Sequence, residues 1–215
     1  MITVVVFDVG GVLEIVDDAT WPRRWKQRWQ AIGSAARGEA RPTEWVDAGA
    51  DSQRAETGAA MTERQVRELY RLRFGLTRSQ ADAMMADMWD SYCGRLDVDM
   101  RDFVASLRPR YRTAILSNSG DGACREEQRR YDFAGLVDTI VYSHEVGVAK
   151  PDPAIYELTA TRVDARPEEI LFLDDSAACV DGARAAGWHA VQHLDTAGSI
   201  RQMTAILGQF ASGSG

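Results

Sequence analysis

Three carboxylates and one ammonium group stand out, because each follows an apolar run that reads as a buried strand. Asp8 closes ITVVVFD, Asp174 and Asp175 close ILFLDD, and Lys150 lies in HEVGVAKPDP, downstream of VDTIVY. A further run, AILSNSG, ends in Ser117 and Asn118. A buried group of carboxylates is strongly unfavourable unless a cation joins it. Magnesium favours a few carboxylate and carbonyl oxygens with water completing its sphere. Asp8, the backbone carbonyl of Gly10, and Asp174 or Asp175 would form such a set. Mg²⁺ and Lys150 would then hold a phosphate against Asp8, whose carboxylate could attack phosphorus and form an aspartyl-phosphate. Lys150 is distinctive by composition: of 25 basic residues, only Lys26 and Lys150 are lysine. A compact point charge on a flexible stem suits an oxygen that moves during reaction.

These residues need a scaffold that brings distant strand ends together. The runs at 2–7, 113–116, 137–142, 170–173 and 188–191 are apolar throughout and do not alternate, as expected of parallel strands covered on both faces. Helical patterns at 99–108, 124–133, 153–163, 177–186 and 196–210 separate them. That alternation predicts a doubly wound α/β sheet, in which ligands bind beyond the carboxyl ends of the strands. Residues 14–98 break the pattern. They hold no convincing strand and read as a helical insertion directly after the first strand.

Composition sets outer bounds. The 215 residues carry a net charge of −7, 45% apolar and 27% charged side chains. The acidic balance disfavours nucleic acid as a partner, and no apolar run reaches the roughly 20 residues of a membrane span. Cys93, Cys124 and Cys179 form no CxxC pair, so neither a disulfide framework nor a zinc site is expected. The expectation is a cytoplasmic monomer or homodimer acting on a small phosphorylated molecule.

At this point the residues resemble the haloacid dehalogenase superfamily over nearly the whole chain. FDVGGVL is similar to its first motif, which implies Asp8 as nucleophile. LSNS resembles the second, with Ser117 binding a transferring oxygen. VAKPDPAIY resembles the third, with Lys150 as the cation, and LDDSAACVDGARAAGW the fourth, with Asp174 and Asp175 on the metal side. Gly10, Gly11 and Asn118 are expected to line the bound anion, glycine because its turn exposes amide N–H groups. The wording is nearest to phosphatases resembling the amino-terminal domain of soluble epoxide hydrolase and to bacterial sugar-phosphate phosphatases. The resemblance implies a Rossmann-like core (1–13 and 99–211) with strand order 3-2-1-4-5, a helical cap (14–98) and a flexible tail (212–215).

Two positions depart from the family. Where its phosphatases carry a second Asp two residues after the nucleophile, this chain has Gly10; where close relatives often have Asn, it has Cys179. Gly10 keeps a carbonyl for the metal but cannot shuttle a proton, a contribution of about 10²–10⁴-fold in rate. Substrates with good leaving groups, aryl or acyl phosphates, should therefore be cleaved faster than alkyl phosphates. Glu14, Asp17, Asp18 and His144 are candidate substitutes for the missing acid. Plain turn geometry is the alternative reason for glycine at 10 and 11.

Trp21, Trp25 and Trp29 fall on one helical face among Arg23, Arg24, Lys26 and Arg28. Packing of that stripe inside the insertion is favoured over a ligand surface. Ser176 is a candidate N-cap for the helix after the fourth strand. Two rival readings stand: a 2-haloacid dehalogenase using Asp8 without a proton donor, and a non-catalytic phosphate- or metal-binding protein.

Overall fold

The computed structural model describes residues 1–16, 22–38 and 61–212. Its centre is a five-stranded parallel sheet: β1 (Val4–Phe7), β4 (Arg112–Ser117), β5 (Thr139–Tyr142), β6 (Ile170–Asp174) and β7 (His189–Gln192). The spatial order is β5-β4-β1-β6-β7, which is 3-2-1-4-5 when only these strands are counted. β1 is central. Its Phe7 is level with Ile115 of β4 on one side and Leu173 of β6 on the other.

The uninterrupted apolar runs resolve into two faces. Val5, Phe7, Ile115, Leu171 and Leu173 pack with Met100, Val104, Phe133, Met203 and Leu207. Val4, Val6, Ala114, Leu116 and Phe172 pack with Ile155, Tyr156, Ala183 and Trp188. Neighbouring strand residues point to opposite faces. Helices cover both faces here, so every position must be apolar and no alternation shows in the sequence. The first face is covered by α4 (Val98–Ser106), α6 (Phe133–Leu136) and α10 (Thr196–Ser212). The second is covered by α8 (Pro153–Arg162) and α9 (Ala177–Ala185). Ser176 caps α9 by accepting the Cys179 N–H at 3.4 Å, as expected. α5 (Ala123–Tyr131) follows β4, and α7 (Ser143–Val146) follows β5.

Among the described residues, three helices stand between β1 and α4: α1 (Arg23–Ala36), α2 (Glu63–Phe74) and α3 (Arg78–Cys93). Both α2 and α3 open with a Thr/Gln capping box, Thr62 with Gln65 and Thr77 with Gln80, so two backbone N–H groups at each start are satisfied locally. The helices share a separate apolar cluster that includes Trp25, Trp29, Tyr70, Phe74 and Met84. Trp25 and Trp29 are buried while Arg23, Arg24 and Arg28 are exposed, so those two tryptophans pack inward. Trp21 lies outside the described residues.

One expectation for this segment needs correction. Residues 14–98 do contain strands: β2 (Glu14–Ile15) and β3 (Arg95–Leu96) pair antiparallel. Two residues each are too few to show a period of two, which is why the sequence hides them. This ribbon carries the chain out of the sheet and back.

Candidate active site

Asp8 is the first residue beyond β1, and its N–H donates to Leu173 O at 2.9 Å, continuing the ladder toward β6. This sets Asp8 beside Asp174, the last residue of β6. Lys150 enters between them. Its Nζ lies 2.8 Å from Asp8 Oδ1 and 2.6 Å from Asp174 Oδ2. Asp174 is fully buried, and its second oxygen accepts the Ser176 N–H at 2.8 Å. Carboxylate oxygens of Asp8, Asp174 and Asp175 all lie within 4.8 Å of one another. The four residues that the sequence placed after three separate strands thus meet at one point of the rim. Ser117 ends β4, the strand on the other side of β1, and is 1% exposed.

Burial governs the electrostatics. Desolvation pushes Asp8 up to about 7, with Asp174 adding to the rise and Lys150 opposing it. Burial also lifts Asp175, helped by Asp174 and opposed by Lys150. For Lys150, burial acts downward, but attraction and hydrogen bonds from Asp8 and Asp174 outweigh it and hold the ammonium above its ordinary value. A purely oxygen donor set of three clustered carboxylates suits a hard cation of the Mg²⁺ type.

The two glycines differ. Gly11 has φ +78, and a Cβ there would lie 2.5 Å from Asp175 Oδ2. Only glycine lets Asp175 approach the turn. The Gly11 N–H donates to Glu14 O at 2.8 Å. Gly10 is exposed, lacks a positive φ, and a Cβ there meets nothing within 4 Å. Neither backbone geometry nor crowding requires glycine at that position.

The Asn118 side chain bonds the backbone of Lys150. Its Nδ2–H donates to Lys150 O at 2.8 Å and its Oδ1 accepts the Lys150 N–H at 2.8 Å.

Of the candidate substitute acids, Asp17 and Asp18 lie outside the described residues. His144 is engaged through Nδ1 with Ser119 Oγ at 2.8 Å. Glu14 is 1% exposed and one of its oxygens has no hydrogen-bond partner. Burial drives its pKa up to about 10, with repulsion from Glu127 and Asp8 adding and Arg130 opposing. It is therefore a buried group that holds its proton through the neutral range.

Glu127 was not foreseen. It is fully buried on α5, accepts from Tyr142 Oη at 2.6 Å, and is pushed up to about 7 by desolvation, against the Tyr142 hydrogen bond. In the run REEQRRY it looks like a solvated face. The one hint is its spacing of four from Ala123, which is also buried. A second unforeseen feature joins the helices of residues 23–93 to the loop after β4. Glu63 accepts from Trp89 Nε1 at 2.6 Å and from Arg125 at 2.9 and 3.0 Å, while its N–H donates to Asp121 at 2.7 Å.

Residues 2–187 match the model of the haloacid dehalogenase-like hydrolases. The chain belongs to that family. It is 33% identical over 82 residues to (S)-2-haloacid dehalogenase 1 of Pseudomonas sp. (strain CBS-3), covering 38% of this chain and 36% of that protein. It is also 33% identical over 86 residues to the phosphorylated carbohydrates phosphatase of Thermotoga maritima, covering 40% and 39% respectively. The chain thus spans little more than a third of the length of these two curated relatives. Mammalian bifunctional epoxide hydrolases also match. A family enzyme of Bacteroides thetaiotaomicron, crystallised with magnesium and inorganic phosphate, shares the fold with a TM-score of 0.71 at 22% identity, over 89% of this chain and 94% of that one. By family the chain is a haloacid dehalogenase-like hydrolase, and phosphatases are among the proteins it is similar to.

Proposed function

We propose that the chain is a Mg²⁺-dependent phosphohydrolase of small phosphorylated metabolites, working through a phosphorylated Asp8. The observation that carries this reading is the Lys150 ammonium between Asp8 and Asp174, with Asp175 clustered beside those two carboxylates. Asp8, Asp174, Asp175 and the Gly10 carbonyl would hold the ion. When bound, Mg²⁺ neutralises the phosphoryl oxygens and supplies the positive charge that favours ionised carboxylates.

The chain's own residues do the rest. Asp8 attacks phosphorus; the bond to the leaving oxygen breaks and its electron pair departs with the leaving group. Lys150 and the Ser117 hydroxyl stabilise the transferring oxygens, and water then cleaves the acyl phosphate to release inorganic phosphate and regenerate Asp8. No carboxylic acid projects from Gly10 to protonate the leaving oxygen, so substrates with weakly basic leaving groups react best. The helices α1, α2 and α3, with the β2–β3 ribbon, act as a cap for this rim.

The experiment is a substrate panel of acetyl, aryl and alkyl phosphates, with and without Mg²⁺, beside Asp8→Asn. The reading expects Mg²⁺-dependent turnover that falls from acyl and aryl to alkyl esters and vanishes in Asp8→Asn. Equal rates on all classes would contradict the role given to Gly10. The similarity to a 2-haloacid dehalogenase favours one alternative, since halide departs without a proton. Dehalogenation of 2-haloacids that persists in EDTA would select it. Retained Mg²⁺ binding with no turnover on either panel would select a binding protein.

A further inference from the structure

The Lys150 ammonium must sit accurately between two carboxylates, yet it is carried on a loop and ends a long, flexible side chain. Freezing such a side chain is entropically unfavourable, so something must fix its base. Lys150 follows HEVGVA and precedes Pro151-Asp152-Pro153. Across the gap, the loop after β4 presents one side chain that bonds both backbone groups of Lys150: Asn118, at 2.8 Å in each direction. A carboxamide is well suited to this, since it offers a donor and an acceptor side by side, as a peptide group does. The pair behaves like one rung of a ladder between two loops that are otherwise irregular.

We infer that Asn118 is a positioning residue, not a substrate ligand: it sets the backbone of Lys150 and so the placement of Nζ against Asp8 and Asp174. The inference rests on the proposed role of Lys150. It also links two catalytic stretches, because Asn118 directly follows Ser117. A shift of the β4 loop therefore moves the serine and the lysine together. Neighbouring contacts stiffen the same loop: the Ser119 N–H donates to Ser143 Oγ at 2.9 Å, and Asp121 holds the start of α2.

The test is a double-mutant cycle with Lys150→Met and Asn118→Ala, assayed with acetyl phosphate and p-nitrophenyl phosphate. Inorganic phosphate in the presence of Mg²⁺ serves as binding probe. Lys150→Met should lower kcat about 10²–10³-fold, the usual effect of deleting one charge-stabilising donor. Asn118→Ala should lower kcat about 10–100-fold, the range seen for partners that orient a directly acting group. Both substrates should lose equally, with little change in KM. The double variant should be hardly slower than Lys150→Met alone, because the clamp then has nothing to place.

Losses that multiply, or a KM effect that differs between the two substrates, would overturn the inference and return Asn118 to the substrate. A Lys150→Met enzyme of undiminished kcat would overturn the proposed function, and the inference with it. Asn118→Ser carries the same test should the alanine variant fold poorly. A fall in melting temperature with kcat unchanged would show a purely structural bond and also overturn the inference.

Discussion

Two buried acidic groups lie near one another and differ in their partners. Asp8 and Asp174 share the Lys150 ammonium at 2.8 and 2.6 Å. Among the described residues, Glu14 and Glu127 share no cation at hydrogen-bonding distance, and each keeps one buried oxygen without a partner. Glu14 rises to about 10 and Glu127 to about 7, both mainly through desolvation. Asp8 suffers the same desolvation, yet Lys150 pulls against it. On the proposed reading Asp8 must attack as an anion, and Lys150 supplies it with a cation. Glu14 keeps its proton through the neutral range, whereas Glu127 is raised to about 7, no further than Asp8. Position alone does not make a buried acid reactive; what decides is the charge next to it.

Adding an acid at the open edge of the first group should have the largest effect. Gly10→Asp has room for its side chain and is expected to raise turnover of alkyl phosphates by up to about 10²–10⁴-fold, with far less gain on acetyl phosphate. A folded, Mg²⁺-binding variant with no gain would mean that another group already donates the proton. Removing the cation comes next. Lys150→Met leaves Asp8 and Asp174 buried without compensation, which should destabilise the fold by about 3–5 kcal/mol in urea titrations as well as slow catalysis. Asp8→Asn added to that variant should restore part of the lost stability. No recovery would break the link between these two residues.

The second group should respond to pH instead. Glu14 holds its proton in the folded state up to about 10 but releases it near 4.5 when unfolded. The folded form binds more protons over that window, so stability falls as pH rises through it, by at most about 1.4 kcal/mol per pH unit. Glu127, Asp8 and Arg130 face the same carboxyl, and Glu127 adds to the slope below about 7. Glu14→Gln should flatten this decline, read from denaturant unfolding between neutral and alkaline pH. An unchanged slope would place the titration elsewhere. The smallest effect belongs to the partly exposed Arg125–Glu63 pair. Arg125→Met should shift unfolding by less than about 1 kcal/mol, and less still at high salt.

The sheet was legible because parallel strands covered on both faces cannot hide their apolar runs, and β1 and β6 are plain examples. Asp8, Lys150, Asp174 and Asp175 were legible for a related reason: a charge at the end of such a run needs a partner. The β2–β3 ribbon was not legible, being two residues deep on each side. Glu127 was missed because only the tertiary fold distinguishes the buried side of a charged helix. The hydrogen-bond partners of Gly11 and Asn118 were not legible either. Both sit in loops beside the site, and only the partners of their amide groups reveal that one admits Asp175 while the other grips Lys150.

The central claim is that Asp8 accepts the phosphoryl group. Its most direct measurement is rapid acid quench of the enzyme turning over acetyl phosphate with Mg²⁺, followed by peptide mass spectrometry. The account expects a phosphate adduct on the peptide bearing Asp8, labile to hydroxylamine and absent from Asp8→Asn. Turnover that proceeds with no adduct at Asp8, or that survives Asp8→Asn, would contradict it.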